Sequence, residues 1–174
     1  MASDDILKGK KILVVDDEPD ILETIEEILD ECVIDTAADF ESAKALLETK
    51  PYDATILDIM GVRGFDLLDI AIEKKVPAMM LTAQGLNPDN LVGSIKVGAK
   101  SYIPKEKMDE IDIYLKEIFL NQEKGIEKSG NWFARLSSFF DSRFGSEWKN
   151  KDKKFWEEFD QSYKVTKEEL EDIM

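Results

Sequence analysis

Ala54-Thr55-Ile56-Leu57-Asp58 is an apolar run that ends on a carboxylate, and three more runs in the chain also end on polar side chains. Ile12-Leu13-Val14-Val15 leads into Asp16-Asp17, Ala78-Met79-Met80-Leu81 into Thr82, and Tyr102-Ile103-Pro104 into Lys105. Short continuous apolar runs suit strands buried on both faces of a parallel sheet, and open α/β sheets place their sites at the carboxyl ends of such strands. If each run is such a strand, three carboxylates, a hydroxyl and an ammonium converge on one point. That is a site for a divalent cation and a phosphoryl group.

Outward from these runs, the pattern predicts strands over 11–16, 33–36, 54–57, 78–81 and 101–103. Between them Ile21, Ile25, Ile28 and Leu29 recur at helical spacing, as do Ala43, Leu46 and Leu47, then Leu67, Leu68, Ile70 and Ala71. Pro19 or Asp20 can open the first helix and Asp39 can cap the second with its side-chain oxygen. Pro88 and Asp89 open a fourth helix that Gly98 ends, and Ile111, Leu115, Ile118 and Phe119 mark a fifth. Strands alternating with amphipathic helices predict a (βα)5, doubly wound parallel sheet. Gly125 and Ser129-Gly130 then punctuate the chain, dividing it into an α/β unit over 1–122 and an extension over 123–174.

Composition excludes several classes. The net charge is -15, most of it in residues 1–120, where 26 acids face 13 bases. Such a chain repels a phosphate backbone, so no nucleic acid is expected as a partner. One cysteine, Cys32, excludes an internal disulfide and fits a reducing compartment. No stretch has a signal-peptide or membrane-spanning pattern, so a soluble, cytoplasmic protein is expected, with membrane contact unlikely by composition. Histidine is absent. The chain therefore has no histidine base, ligand or phosphohistidine, and its chemistry rests on carboxylates, lysine, hydroxyls or Cys32.

Each landmark also has a plain structural reading. Asp16 and Asp17 can serve the dipole of the following helix, together with Glu18 and Asp20. Asp58 can cap a helix, Thr82 can be an ordinary strand-end hydroxyl, and Lys105 a solvated charge. Their order and shared strand-end placement favour a joint role. Adjacent carboxylates repel unless a cation intervenes, and hard oxygen ligands suit Mg2+. A carboxylate such as Asp58 can then attack phosphorus to give an acyl phosphate, with Thr82 and Lys105 each holding a phosphoryl oxygen.

Four stretches together resemble the receiver domain of two-component response regulators. They are Lys11-Ile12-Leu13-Val14-Val15-Asp16-Asp17-Glu18-Pro19, Ile56-Leu57-Asp58-Ile59-Met60, Leu81-Thr82-Ala83 and Gly98-Ala99-Lys100-Ser101-Tyr102-Ile103-Pro104-Lys105. The resemblance spans residues 10–120 and implies a CheY-like, flavodoxin-like sheet in order 2-1-3-4-5. It implies phosphorylation of Asp58 and Mg2+ held by Asp17, Asp58 and the Met60 backbone carbonyl, with Asp16 near the ion or acting through water. It further implies that Thr82, the Ala83 backbone and Lys105 bind the phosphoryl group, and that Thr82 and Tyr102 form a switch pair. In that scheme the face made by the fourth helix, fifth strand and fifth helix carries the signal. The family often has Met-Pro-Gly-Met-Asp-Gly after the acceptor, whereas Met60-Gly61-Val62-Arg63-Gly64 is shorter and lacks the proline. Glu106 also replaces the proline common after the lysine, while Pro104 precedes it.

With no histidine in the chain, the resemblance implies a donor in trans: a histidine kinase, a phosphotransfer protein of a phosphorelay, or a small phosphodonor. The protein is expected to be a signalling phosphoprotein rather than an enzyme. A haloacid-dehalogenase-like phosphatase would want Asp-x-Asp after its first strand, which Asp16-Asp17-Glu18 does not supply. The extension holds ten of the 16 aromatics. Trp132, Leu136, Phe140 and Phe144 form one helical stripe, Phe155, Trp156, Phe159 and Tyr163 a second, and 148–154 reads as a connector. Three roles are open for it: packing back on the α/β unit, dimerisation or partner docking, and membrane-surface association. A homodimer could use the fourth-helix, fifth-strand, fifth-helix face or the extension itself. The alternative function is a transcriptional regulator with a minimal helical DNA-binding output, which the balanced charge of the extension disfavours.

Overall fold

A computed structural model describes residues 6–165. The outer ends of both expected units, 1–5 and 166–174, lie outside the described residues. Five parallel strands, β1 (Lys11–Val15), β2 (Val33–Ala37), β3 (Ala54–Asp58), β4 (Ala78–Thr82) and β5 (Ser101–Pro104), form one sheet in the order β2-β1-β3-β4-β5. Helices α1 (Pro19–Ile28), α2 (Phe40–Thr49), α3 (Gly64–Glu73), α4 (Pro88–Val97) and α5 (Ile111–Lys124) alternate with them. This is the doubly wound, flavodoxin-like fold with a helical extension that the sequence predicts.

Burial explains the patterning. Every residue of β3, β4 and β5 is buried, as the apolar runs require of strands covered on both faces. The edge strand β2 has exposed positions and correspondingly carries Asp35 and Thr36. Local signals set several helix ends. The Asp39 side chain accepts from the Ser42 amide at 2.8 Å, Asn87 accepts from the Asn90 amide at 2.8 Å, and Pro19 and Pro88 occupy first-turn positions. Parallel register then aligns the strand ends, pairing Asp58 with Leu81 and Thr82 with Pro104.

The extension folds back onto this unit. Helices α6 (Asn131–Phe144) and α7 (Lys153–Ser162) lie against α4, β5 and α5, joined through a 3₁₀ turn over Trp148–Asp152. The segment read as a connector therefore contributes a buried side chain, Trp148, whose indole donates to Asp141 at 2.8 Å. Trp132, Leu136 and Phe140 are buried as their spacing predicts, with Phe144 partly so. Phe133, off that stripe, is the hub of the aromatic cluster. Its ring lies 5.7 Å from Phe140, 4.9 Å from Trp156 and 5.4 Å from Phe159. Such pairs add roughly 0.5–1.5 kcal/mol each beyond their buried area.

Ion pairs tie the extension down. Arg135 of α6 pairs with Glu117 of α5, both side chains 5% exposed. Arg143 pairs with Glu106 at 2.6 Å, and Lys96 of α4 meets Asp152 at 3.5 Å and lies over the Phe155 ring. The α4-β5-α5 face, one of the two surfaces considered for a homodimer, is thus the one the chain covers with its own helices. Among the described residues no helix is long and apolar enough to cross a membrane. Glu117→Ala leaves the Arg135 guanidinium buried without this carboxylate. Urea denaturation should show a loss of about 3–5 kcal/mol, the scale for breaking a buried pair; a change below about 1 kcal/mol would argue that the pair is not buried in solution.

Candidate phosphoryl and metal site

The carboxyl ends of β1, β3, β4 and β5 bring the landmarks together. Asp16, just past β1, is 1% exposed; its Oδ1 accepts from the Glu18 amide at 2.9 Å, and its Oδ2 forms an ion pair with Lys105 Nζ at 2.8 Å. Lys105 follows β5, so its long side chain crosses β4 and β3 to reach β1. On the way its ammonium lies 3.6 Å from Asp58 Oδ1, and it sits 3.5 Å from Glu18. Carboxylate oxygens of Asp16, Asp17 and Asp58 all lie within 4.8 Å of one another. Asp16 and Asp58 are buried, whereas Asp17 is exposed at the rim.

Crowded like charges determine the electrostatics. Burial first, then the neighbouring Asp16 charge, pushes the Asp58 carboxyl up from 3.8 to about 7. Burial also raises Asp16, working against its bond to Lys105. Burial opposes the charged form of Lys105, yet its bond to Asp16 and the pull of Asp58 outweigh that and hold the ammonium above its ordinary range. One ammonium thus faces an excess of carboxylate. Three hard oxygen donors within reach of one point fit a divalent cation such as Mg2+.

Glycines let the backbone close in around these acids. Gly61 sits at φ +88°, and a Cβ there would lie 2.5 Å from Asp17 Oδ2. The backbone next to Met60 therefore runs directly against the Asp17 carboxylate. A Cβ on Gly64 would lie 2.1 Å from the Asp58 carbonyl oxygen, so only glycine lets the short loop pack this tightly against the end of β3. Within this loop Arg63 lies in the left-handed region at φ 56°, with its guanidinium over the Phe40 ring at 3.9 Å and bonded to Asp66 at 2.8 Å.

Thr82 is fully buried, and its Oγ1 accepts from the Gly85 amide at 2.9 Å. Ala83 follows it, exposed at the start of the loop. Tyr102 is also fully buried, its hydroxyl donating to the Gly85 carbonyl at 2.7 Å and accepting from the Asn87 amide at 3.2 Å. The structure thus gathers Asp16, Asp17, Asp58 and Lys105 tightly and sets Thr82 beside them. Tyr102 lies one loop away. Glu18, Gly61 and Gly85 were not legible as site residues. Only the close approach of backbone to carboxylate and hydroxyl reveals the glycines.

The response regulator receiver domain family matches residues 12–116. The chain belongs to that family. Curated relatives include the transcriptional regulatory protein TcrA of Mycobacterium tuberculosis, 36% identical over 112 residues, covering 60% of this chain and 44% of TcrA. Another is the transcriptional regulatory protein CpxR of Klebsiella pneumoniae, 36% identical over 100 residues, covering 55% of this chain and 42% of CpxR. The match thus spans less than half the length of either relative. Among solved structures, a CheY-like receiver domain protein from Methanospirillum hungatei superposes with a TM-score of 0.62 at 27% identity, covering 68% of this chain and 99% of that one. NtrX from Brucella abortus, solved in complex with ADP, gives a TM-score of 0.58 at 33% identity over 67% of this chain and 28% of its own. Receiver domains are signalling proteins rather than classical enzymes, and they take phosphoryl groups from histidine kinases or phosphotransfer proteins.

The raised Asp58 carboxyl yields a signed prediction. A folded-state value of about 7 against an ordinary 3.8 means that this group's contribution is fully present below about pH 4 and lost as pH rises through about 7. In EDTA, Asp58→Asn should therefore be more stable than the parent at pH 8, on the order of 1–3 kcal/mol by urea denaturation, with the difference vanishing toward acid. A difference that does not grow between about pH 5 and pH 8 contradicts the assignment. Gly61→Ala should weaken Mg2+ binding at least about tenfold by calorimetry, because the new methyl would displace the Asp17 carboxylate. Unchanged affinity would show that Asp17 is not a ligand.

Proposed function

We propose that this receiver accepts a phosphoryl group on Asp58 from a separate histidine kinase or phosphotransfer protein and signals through phosphorylation-dependent protein contacts. The observation that carries the reading is the half-buried Lys105 ammonium, 2.8 Å from Asp16 and 3.6 Å from Asp58, beside the three-carboxylate cluster. A structural ion pair would need one carboxylate for one ammonium. Here the excess charge is concentrated where a strand end presents a buried oxygen nucleophile.

In the proposed reaction an Asp58 carboxylate oxygen attacks phosphorus, an O–P bond forms, and the bond to the donor nitrogen breaks with its electron pair left on that nitrogen. Asp17, Asp58 and the Met60 carbonyl would hold Mg2+, with Asp16 nearby or acting through water. The ion, when bound, offsets the charge of the carboxylates and the phosphoryl oxygens. Lys105 neutralises a further phosphoryl oxygen from the β5 side. Thr82, whose oxygen already accepts from Gly85, still has its hydroxyl proton to give to the phosphoryl group, and the Ala83 backbone amide can do the same. No residue of the chain is a histidine, so the donor lies in another molecule.

Incubation with acetyl phosphate and Mg2+ should add about 80 Da to the intact mass, the increment of one phosphoryl group. Asp58→Asn should show no addition, and Lys105→Ala should slow it by at least about 10²-fold. Addition that persists in Asp58→Asn would place the acceptor elsewhere.

A second reading is a transcriptional regulator with a small helical output, favoured by the names of the two relatives. Against it, residues 121–174 carry 10 bases and 12 acids, a balance that disfavours a basic recognition face. Electrophoretic mobility shift at physiological salt should show no sequence-specific complex, with or without beryllofluoride.

A further inference from the structure

The phosphoryl site and the extension meet through one glycine. The Gly85 amide donates to Thr82 Oγ1 at 2.9 Å, while the Gly85 carbonyl accepts from the Tyr102 hydroxyl at 2.7 Å. A Cβ on Gly85 would lie 2.7 Å from Thr82 Oγ1 and 3.0 Å from Ile59, so the loop can approach this closely only as glycine. On its other side the Tyr102 ring meets Phe140 of α6, centroids 6.2 Å apart, and Phe140 is itself fully buried among Phe133, Phe144 and Trp148. Thr82, Gly85, Tyr102 and Phe140 therefore form a contiguous chain from strand end to extension.

We propose that the C-terminal helices act as an internal clamp on Tyr102, so that their docking and phosphorylation of Asp58 favour the same arrangement and strengthen each other. The inference rests on the phosphoacceptor reading of Asp58. Its sign comes from the hydroxyl of Thr82. That oxygen uses a lone pair to hold Gly85, which leaves its proton to donate to a phosphoryl oxygen. In the clamp, a phosphoryl group on Asp58 takes that proton while Gly85 keeps the lone pair, so phosphorylation favours the Thr82 orientation that holds Gly85, and with it the seat of Tyr102. The docked helices do so from the opposite side: a wholly buried ring in a close-packed interior cannot leave its slot unless Phe140 yields. Both events bias one two-state element, and such coupling is reciprocal. Phe140 is here a positioning residue, acting through Tyr102. On this account the helices are an occupant that prepares the switch. They are not a lid that phosphorylation expels.

All three tryptophans, Trp132, Trp148 and Trp156, lie in the extension, and amide exchange over residues 131–163 reads its docking directly. The test uses the full chain, titrated with beryllofluoride in Mg2+ and followed by 19F NMR for the adduct and by hydrogen exchange for the helices. Saturation should slow exchange over 131–163 at least about fivefold, and Phe140→Leu should raise the half-saturating beryllofluoride concentration by a similar factor. Arg143→Gln, which loosens the exposed pair with Glu106 and leaves the core intact, should raise it about twofold and covers the case in which Phe140→Leu does not fold. A half-saturation point unmoved in a folded variant would overturn the clamp while leaving the phosphoacceptor reading in place. So would saturation with unchanged or faster exchange over 131–163. Absence of any Asp58-dependent adduct, judged against Asp58→Asn, would remove both.

Discussion

One ammonium held among crowded carboxylates is the interaction on which the rest of the molecule depends. Lys105 reaches across the sheet to Asp16 and comes close to Asp58, and no other cation enters the ion-pair cluster among the described residues. The fold bears the remaining repulsion by burying two of the acids at strand ends fixed by parallel register. That strain is chemically useful. A buried carboxylate with a raised pKa is poorly satisfied as it stands, and both a divalent cation and a phosphoryl group with its metal would relieve it.

Close backbone approach turns this charge cluster into a shaped site. Gly61 carries the loop against Asp17, Gly64 packs on the Asp58 carbonyl, and Gly85 binds Thr82 and Tyr102 with its two backbone groups. The shortened loop after Met60 achieves this without proline. Arg63 takes a left-handed conformation and is held by Phe40 and Asp66. The extension then closes the opposite side of the same loop, so that the strand end, the loop and α6 share one packed path.

Much of this is legible in the amino-acid sequence. Ile12–Val15, Ala54–Leu57 and Ala78–Leu81 are continuous apolar runs because both sheet faces are covered, and a polar residue can follow such a run only where the strand emerges. That rule located Asp16, Asp58 and Thr82. Asp39 and Pro88 announced helix starts through local chemistry, and the spacing of Trp132, Leu136 and Phe140 announced one face of α6. The rest depends on contacts between distant residues. Phe133 sits one position off the stripe because α6 packs on two partners, β5 and α7. Trp148 hides among lysines and asparagine. Glu117 and Arg135 are 18 positions apart on facing helices, and no local pattern marks them as a pair.

On the proposed function, Asp16, Asp17, Asp58 and Lys105 form one cation-dependent phosphoryl site. A crystal structure of the protein grown with Mn2+ and beryllofluoride tests it most directly, because anomalous scattering locates the ion without reference to the protein density. One ion is expected within about 2.0–2.3 Å of oxygens from Asp17, Asp58 and the Met60 carbonyl, with a beryllofluoride group bonded to Asp58 and Lys105 on one fluorine. An ion bound elsewhere, or an adduct on any other carboxylate, would contradict it.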